Sequence, residues 1–155
     1  MAHSLHVSTT DRPSDAELVE LYDAVGWTRY TREPELLSRA VSGSSLVATA
    51  RFGEQLLGLA RVVSDGATVV YLQDVLVRPE LQREGVGRQL VEAVMRPFGD
   101  VRQQVLLTDD EPRQRAFYEQ LGFTEIRDWG EGRLRAFVRI TEDAEGLTPG
   151  RGAGV

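Results

Sequence analysis

Leu81-Gln82-Arg83-Glu84-Gly85-Val86-Gly87-Arg88-Gln89-Leu90-Val91 is the stretch whose reading decides the fold. Before it, the apolar run from Val69 to Val77 reads as a strand. After it, Leu90, Val91, Val94 and Met95 recur at helical spacing. Strand, glycine turn and helix N-terminus in that order bring several main-chain N–H groups to one point. The helix dipole adds partial positive charge there, so the arrangement favours a phosphate or pyrophosphate. Glycine at 85 and 87 lets a ligand approach the backbone with no Cβ in the way. The spacing is not a dinucleotide fingerprint, because the third position after Gly87 is Leu90, and no Gly-Lys-Ser/Thr ending makes it a P-loop. An ordinary glycine turn before a helix stays open as an alternative.

Working outward, Ser14-Asp15-Ala16-Glu17 is a capping box, and Leu18, Leu21, Tyr22 and Val25 form the helical stripe behind it. Pro34 to Val41 predicts a second helix, closed by Gly43. Leu46 to Phe52 and Leu56 to Ser64 predict strands joined by the turn Gly53-Glu54-Gln55. Asp65-Gly66 is a hairpin signal leading into a long central strand, Thr68 to Val77. Helix Val86 to Phe98, strand Val101 to Leu107 and helix Glu111 to Leu121 follow, and Leu134 to Ile140 is expected to close the sheet. The order predicts an α/β fold with a mixed, mostly antiparallel central sheet and flanking helices. Residues 1–141 read as one domain, and the Gly-rich, charged segment 142–155 reads as a disordered tail.

Composition excludes several classes of function. The chain has 155 residues, 41% of them hydrophobic and 27% charged, with no apolar run long enough to span a membrane. Met1 to Pro13 is polar and lacks an apolar signal core, so a cytoplasmic location is expected. Cysteine is absent, which removes disulfides, thiolate metal sites and a cysteine acyl-enzyme. The two histidines, His3 and His6, both precede the body of the domain, so no histidine triad or metal cluster is expected there. A net charge of −6 argues against nucleic acid as a partner and suits a cationic amine.

A resemblance sharpens the reading. Gln82-x-x-Gly85-x-Gly87 resembles the acetyl-CoA pyrophosphate loop of the GCN5-related N-acetyltransferases. Arg115-Ala116-Phe117-Tyr118-Glu119-Gln120-Leu121-Gly122-Phe123 resembles a later motif of the same family, a helix carrying Phe-Tyr and ending at Leu-Gly-Phe. Leu21-Tyr22-Asp23-Ala24-Val25-Gly26-Trp27, Arg61-Val62-Val63-Ser64-Asp65-Gly66 and the segment Gln73 to Gln82 are similar to the branch that includes plant plastid serotonin and protein-lysine acetyltransferases.

The resemblance implies acetyl-CoA as co-substrate and direct transfer of its acetyl group to a primary amine, with no metal. It implies a splay between the strands at 68–77 and 101–107. It assigns acetyl-CoA to the main chain of Val75, Leu76 and Val77 and to Gln82, Arg83, Glu84, Gly85, Val86, Gly87 and Arg88, with Phe117 and Tyr118 beside it. Val75 N–H would receive the oxyanion, and Tyr118 would be the general acid. Asp74 is a candidate base, or else an acid bonded to a neighbouring loop or helix. Tyr71 stands where other members carry a glutamate, and Asp109-Asp110-Glu111-Pro112 lacks the asparagine that many members use to hold pantetheine. Tyr22, Trp27 and Tyr30, with Trp129 as a further candidate, would line an acceptor pocket for a small amine. A protein lysine or N-terminal acetyltransferase and a non-catalytic CoA-binding module are the alternatives, and a homodimer is the expected assembly.

Overall fold

The computed structural model describes residues 4–141. Five strands form one sheet: β1 (Leu5–Ser8), β2 (Leu46–Phe52), β3 (Gln55–Ser64), β4 (Val69–Val77) and β5 (Gln103–Leu106), in the order β1-β2-β3-β4-β5. The first three pairings are antiparallel, and β4–β5 is parallel. The helices are α1 (Asp15–Ala24), α2 (Thr28–Thr31), α3 (Pro34–Ser42), α4 (Val86–Met95) and α5 (Pro112–Gln120). The chain up to Leu107 is one compact unit, and the segment from Thr108 is a second.

In the first unit the sheet is covered on both faces. Leu59 packs with Leu18, Leu21, Tyr22 and Leu37 of α1 and α3, all buried. The neighbouring Gly58 faces Leu90 of α4. Adjacent residues of a strand point to opposite faces, so α1 and α3 lie across the sheet from α4. The periodicity of α4 is satisfied by the burial of Val86, Leu90, Val91 and Val94. Burying a leucine of this kind contributes roughly 1.5–3 kcal/mol. The capping box at Ser14 forms as expected: Glu17 N–H donates to Ser14 Oγ at 3.3 Å, and Ser14 N–H donates to Glu17 Oε2 at 2.8 Å.

The structure departs from the sequence reading at several places. Leu134 to Ile140 is not a strand. Phe137 in that segment is 95% exposed. Alternation identifies which face a strand would bury, but a strand also needs a neighbouring edge to bond, and this segment bonds none among the described residues. Conversely, Leu5–Ser8 is a strand although it lies in a stretch read as merely polar; it pairs with β2 from Leu5↔Phe52 to Ser8↔Thr49. Met95 ends α4, and Arg96–Phe98 continues as a 3-10 turn, with Pro97 inside it. The segment 142–155, expected to be a disordered tail, lies outside the described residues.

Candidate active site

Two irregularities of β4 build the site. First, its pairing with β5 runs only from Val69↔Gln103 to Leu72↔Leu106, so β4 continues to Val77 with no strand among the described residues paired to that part of its edge. The pairing stops where β5 itself ends, at Leu106. Second, the register with β3 passes from Val62↔Leu72 to Arg61↔Asp74, which leaves Gln73 as an extra, exposed residue in β4. It is a one-residue β-bulge.

The bulge decides which main-chain groups face the open edge. Arg78 N–H donates to Leu57 O at 2.8 Å, which marks 57 and 78 as a hydrogen-bonded pair. Antiparallel ladders alternate, so Leu59/Leu76 is also a bonded pair, whereas Gly58/Val77 and Ala60/Val75 are not. The N–H groups of Val75 and Val77 therefore point away from β3, into the gap left by β5. Leu76, grouped with them from the sequence, is turned the other way: its main chain bonds Leu59, and its side chain lies in the core.

Beyond Val77 the chain enters the cradle. Arg78 ties the strand end down, with Nε donating to Leu56 O at 2.8 Å and a guanidinium N–H donating to Glu20 at 2.5 Å. Gln82 Nε2 donates back to Val77 O at 3.2 Å, which folds the loop against the open edge. Arg83 (φ 71°) and Gly85 (φ 79°) are both left-handed, a backbone alternation that gathers N–H groups into a concavity. The first main-chain bond of α4 runs from Gln89 N–H to Gly85 O at 3.2 Å. The N–H groups of Val86, Gly87 and Arg88 are thus left at the helix end without intrahelical acceptors. A Cβ added at Gly85 would meet nothing within 4 Å. The space over the loop is open, and the donors suit a pyrophosphate. Arg83, Glu84 and Arg88 are exposed, and Arg88 is bridged to Glu92 at 2.8 Å.

Asp74 sits beside the bulge and is 2% exposed. Its Oδ2 accepts from Arg61 Nε at 2.5 Å and from Tyr22 Oη at 2.8 Å; its Oδ1 accepts from Tyr30 Oη at 3.4 Å. This is the alternative left open by the sequence, an acid bonded to neighbouring helices. Arg61 was missed. Its signal was a guanidinium inside the otherwise apolar run Leu56 to Val63. Its charged form is favoured despite the opposing effect of burial, because Asp74 is adjacent. Burial, with the Asp74 charge added, pushes the Tyr22 phenol well above its ordinary value and raises Tyr30 and Tyr71 as well.

Tyr22, Trp27 and Tyr30 do come together. Ring centroids are 5.8 Å apart for Tyr22–Trp27, 5.3 Å for Tyr22–Tyr30 and 6.0 Å for Trp27–Tyr30. Tyr22 has no exposed surface, so its part in any pocket is to hold Tyr30 and Trp27 in place. The half-buried Trp27 finds no partner for its indole N–H among the described residues.

The second unit carries the other motif. Leu-Gly-Phe is a Schellman cap: Phe123 N–H donates to Tyr118 O and Gly122 N–H to Glu119 O, both at 3.0 Å, with Gly122 at φ 90°. The cap stacks Phe123 edge-on to Tyr118 at 6.0 Å, and Phe117 lies 5.0 Å from Tyr118. Arg115 bridges Glu119 one turn on within α5 at 2.8 Å, and holds the helix to the loop after it through Glu125 at 2.6 Å and Asp128 at 2.7 Å. Burial pushes the Tyr118 phenol up to about 12. Trp129 is 57% exposed in a 3-10 turn. Among the described residues no cluster of acids and histidines is arranged to hold a metal ion.

Comparison with known proteins agrees with this architecture. A family model described as the acetyltransferase (GNAT) domain matches residues 22–141. The chain is 30% identical over 123 residues to the uncharacterised N-acetyltransferase ycf52 of Gracilaria tenuistipitata var. liui, covering 75% of this chain but 65% of that one. It is 34% identical to the chloroplastic GCN5-related N-acetyltransferase 2 of Arabidopsis thaliana, covering 69% of this chain and 48% of that protein. Among solved structures, a GNAT family acetyltransferase of Streptococcus pneumoniae superposes with a TM-score of 0.78 at 28% identity, over 90% of this chain and all of that one. Another, from Brucella melitensis and solved with acetyl-CoA, superposes at 0.60 and 25% identity over 79% and 84% of the two chains. The chain belongs to the GNAT acetyltransferases, a family of acyl-transferring enzymes.

Proposed function

We propose that the protein moves an acetyl group from acetyl-CoA directly to the primary amine of a small molecule. The observation that carries the reading is the edge of β4 that β5 does not pair, where Val75 and Val77 N–H point away from β3, running straight into the Gln82–Arg88 cradle at the start of α4. An extended, pyrophosphate-bearing thioester suits that combination. The edge bonds its arm, and the cradle bonds its phosphates.

In this mechanism a neutral amine attacks the thioester carbonyl, an amide C–N bond forms and the C–S bond breaks. Alkylamines have pKa values near ~10, so the amine must first lose a proton, which leaves to water. Asp74 is poorly placed to take it, because both its oxygens already accept hydrogen bonds. Val75 N–H receives the developing oxyanion, a contact that is stronger in the transition state than in the ground state. Tyr118 gives its proton to the departing thiolate. With its phenol raised to about 12 by burial, it is protonated throughout the physiological range. Trp27 and Tyr30 supply aromatic surface for the acceptor, and the net charge of −6 favours cationic amines.

CoA release should be measured across alkylamines, arylalkylamines, polyamines, aminoglycosides and lysine peptides. Transfer to small amines supports the proposal. Transfer confined to peptides makes the protein a lysine or N-terminal acetyltransferase. CoA binding without transfer to any acceptor makes it a binding module.

A further inference from the structure

Arg61 and Asp74 are the charged residues buried in the core of the first unit, at 6% and 2% exposure. A buried ion pair is a weak source of stability. Taking both charges out of water costs about as much as their attraction returns, and an apolar pair of similar volume often does as well. Its position suggests another use. Arg61 and Asp74 are directly opposed across β3 and β4, and they are the first pair after the bulge. Arg61 also reaches Ala40 O and Ser44 Oγ at 3.4 Å, while Asp74 takes Tyr22 from α1 and Tyr30 from α2.

Without the extra residue, Arg61 would oppose Gln73, Ala60 would oppose Asp74, and Leu59 would oppose Val75. A one-residue slip reverses every side chain and every main-chain N–H of the strand segment. Val75 and Val77 would then bond β3, and Asp74 and Leu76 would offer their N–H groups to the open edge. The carboxylate would turn away from Arg61. The ion pair can form in only one of the two registers, the one observed.

We propose that the Arg61–Asp74 pair is a register lock. By holding the bulge at Gln73 it selects Val75 and Val77, rather than Asp74 and Leu76, as the donors facing the acyl group. Both are positioning residues that act through the main chain of β4. The inference rests on the reading of β4 as the acyl-donor edge.

The test uses the full chain with Arg61→Met and Asp74→Leu combined, so that no buried charge is left alone. Amide hydrogen exchange by NMR reads the register directly. In the wild type, Val75 and Val77, which do not bond β3, should exchange faster than Leu76, which does. In the double variant that contrast should be lost, with kcat reduced about 10²-fold, as misplacement of reacting groups by about 1 Å does. CoA affinity should fall much less, because the Gln82–Arg88 cradle is untouched. Arg61→Lys, which retains the pair, should keep the exchange pattern and most of kcat; it also serves as the readout should the double variant fail to fold. A folded double variant with the wild-type exchange pattern and kcat would overturn the lock. So would exchange at Val75 and Val77 as slow as at Leu76 in the wild type, or loss of the pattern in Arg61→Lys. If the wild type transfers acetyl to no amine, the functional reading fails, yet the exchange experiment still decides the lock.

Discussion

Gly58→Ala is the sharpest probe of how the cradle is held. A Cβ at position 58 would lie 2.9 Å from Leu76 O, 2.9 Å from Leu90 Cδ1 and 3.5 Å from Val77 Cα. Carbon contacts are comfortable at about 3.5–4.0 Å. Leu90 can rotate part of the way out, but Leu76 O is held in the β3–β4 ladder and cannot. Overpacking of this kind costs about 1–3 kcal/mol. Losing a glycine from the unfolded chain returns about 0.4–1 kcal/mol where the native backbone suits alanine, so a net loss of about 1–2 kcal/mol is expected. For a chain of this size each kcal/mol shifts Tm by about 2–4 °C, which predicts a fall of about 2–8 °C. Pressure on Leu90 also displaces α4, whose N-terminus is the cradle, so CoA affinity should fall along with Tm. Thermal melts and calorimetric CoA titrations should be run on Gly58→Ala, Leu90→Val and the double variant. Leu90→Val removes the clashing Cδ1, so the two changes should couple favourably, with the double variant less destabilised than the sum of the singles. Strict additivity, or an unchanged Tm in Gly58→Ala, would refute the account of tight β3–α4 packing.

Gly85→Ala should cost about 1–2 kcal/mol for placing a Cβ at positive φ, with no steric clash, since nothing lies within 4 Å. Loss of CoA affinity well beyond that seen in a control substitution of equal stability cost, read by calorimetry, would mean that ligand fills the space over the loop; equal losses would remove the pyrophosphate from it. Tyr118→Phe should lower kcat by about 10² while CoA still binds, the lower end of what general acid catalysis contributes. With the phenol at about 12, the wild-type rate profile should show no limb from Tyr118 below that pH, and a limb near 10 that vanishes in the variant would refute this assignment. All four tyrosines have folded-state values raised above 10.0 by burial. Their contribution to stability is full below the unfolded value and is lost as pH rises through the folded ones. Tyrosine absorbance and circular dichroism should therefore change together in one step well above pH 10; tyrosines ionising at their ordinary value in a folded protein would contradict it.

Much of this was legible in the residues, for reasons that can be named. The cradle was readable because glycine at 85 and the helical stripe from Val86 are local signals, and so was the Schellman cap at Leu121-Gly122-Phe123. The Asp65-Gly66 hairpin was readable for the same reason: Asp65 accepts from Ala67, Thr68 and Val69 N–H at 2.8–3.1 Å. The bulge at Gln73 was not readable. Alternation along β4 alone is silent on which residue of β3 stands opposite. Arg61 escaped notice because its partners, Ala40, Ser44 and Asp74, are separated in sequence and meet it only in the folded chain. Tyr22 was legible as part of an aromatic cluster but not as its buried centre, since burial is a property of the finished packing.

The bulge also bears on the order in which the chain folds. Arg61 and Asp74 are 13 residues apart, within a hairpin closed by a tight turn, whereas Tyr22 is 52 residues from Asp74. Hairpins form in about 1–10 μs, and closing a longer loop costs additional entropy. The two strands can therefore try both alignments before α1 and α2 arrive. A slipped hairpin presents Gln73 to Arg61 and gives Tyr22 no carboxylate to meet, so the later docking of the helices rejects it. The strand pairing is in effect proposed locally and ratified from a distance, and variants that weaken Tyr22 should slow the approach to the native state more than they disturb the hairpin itself.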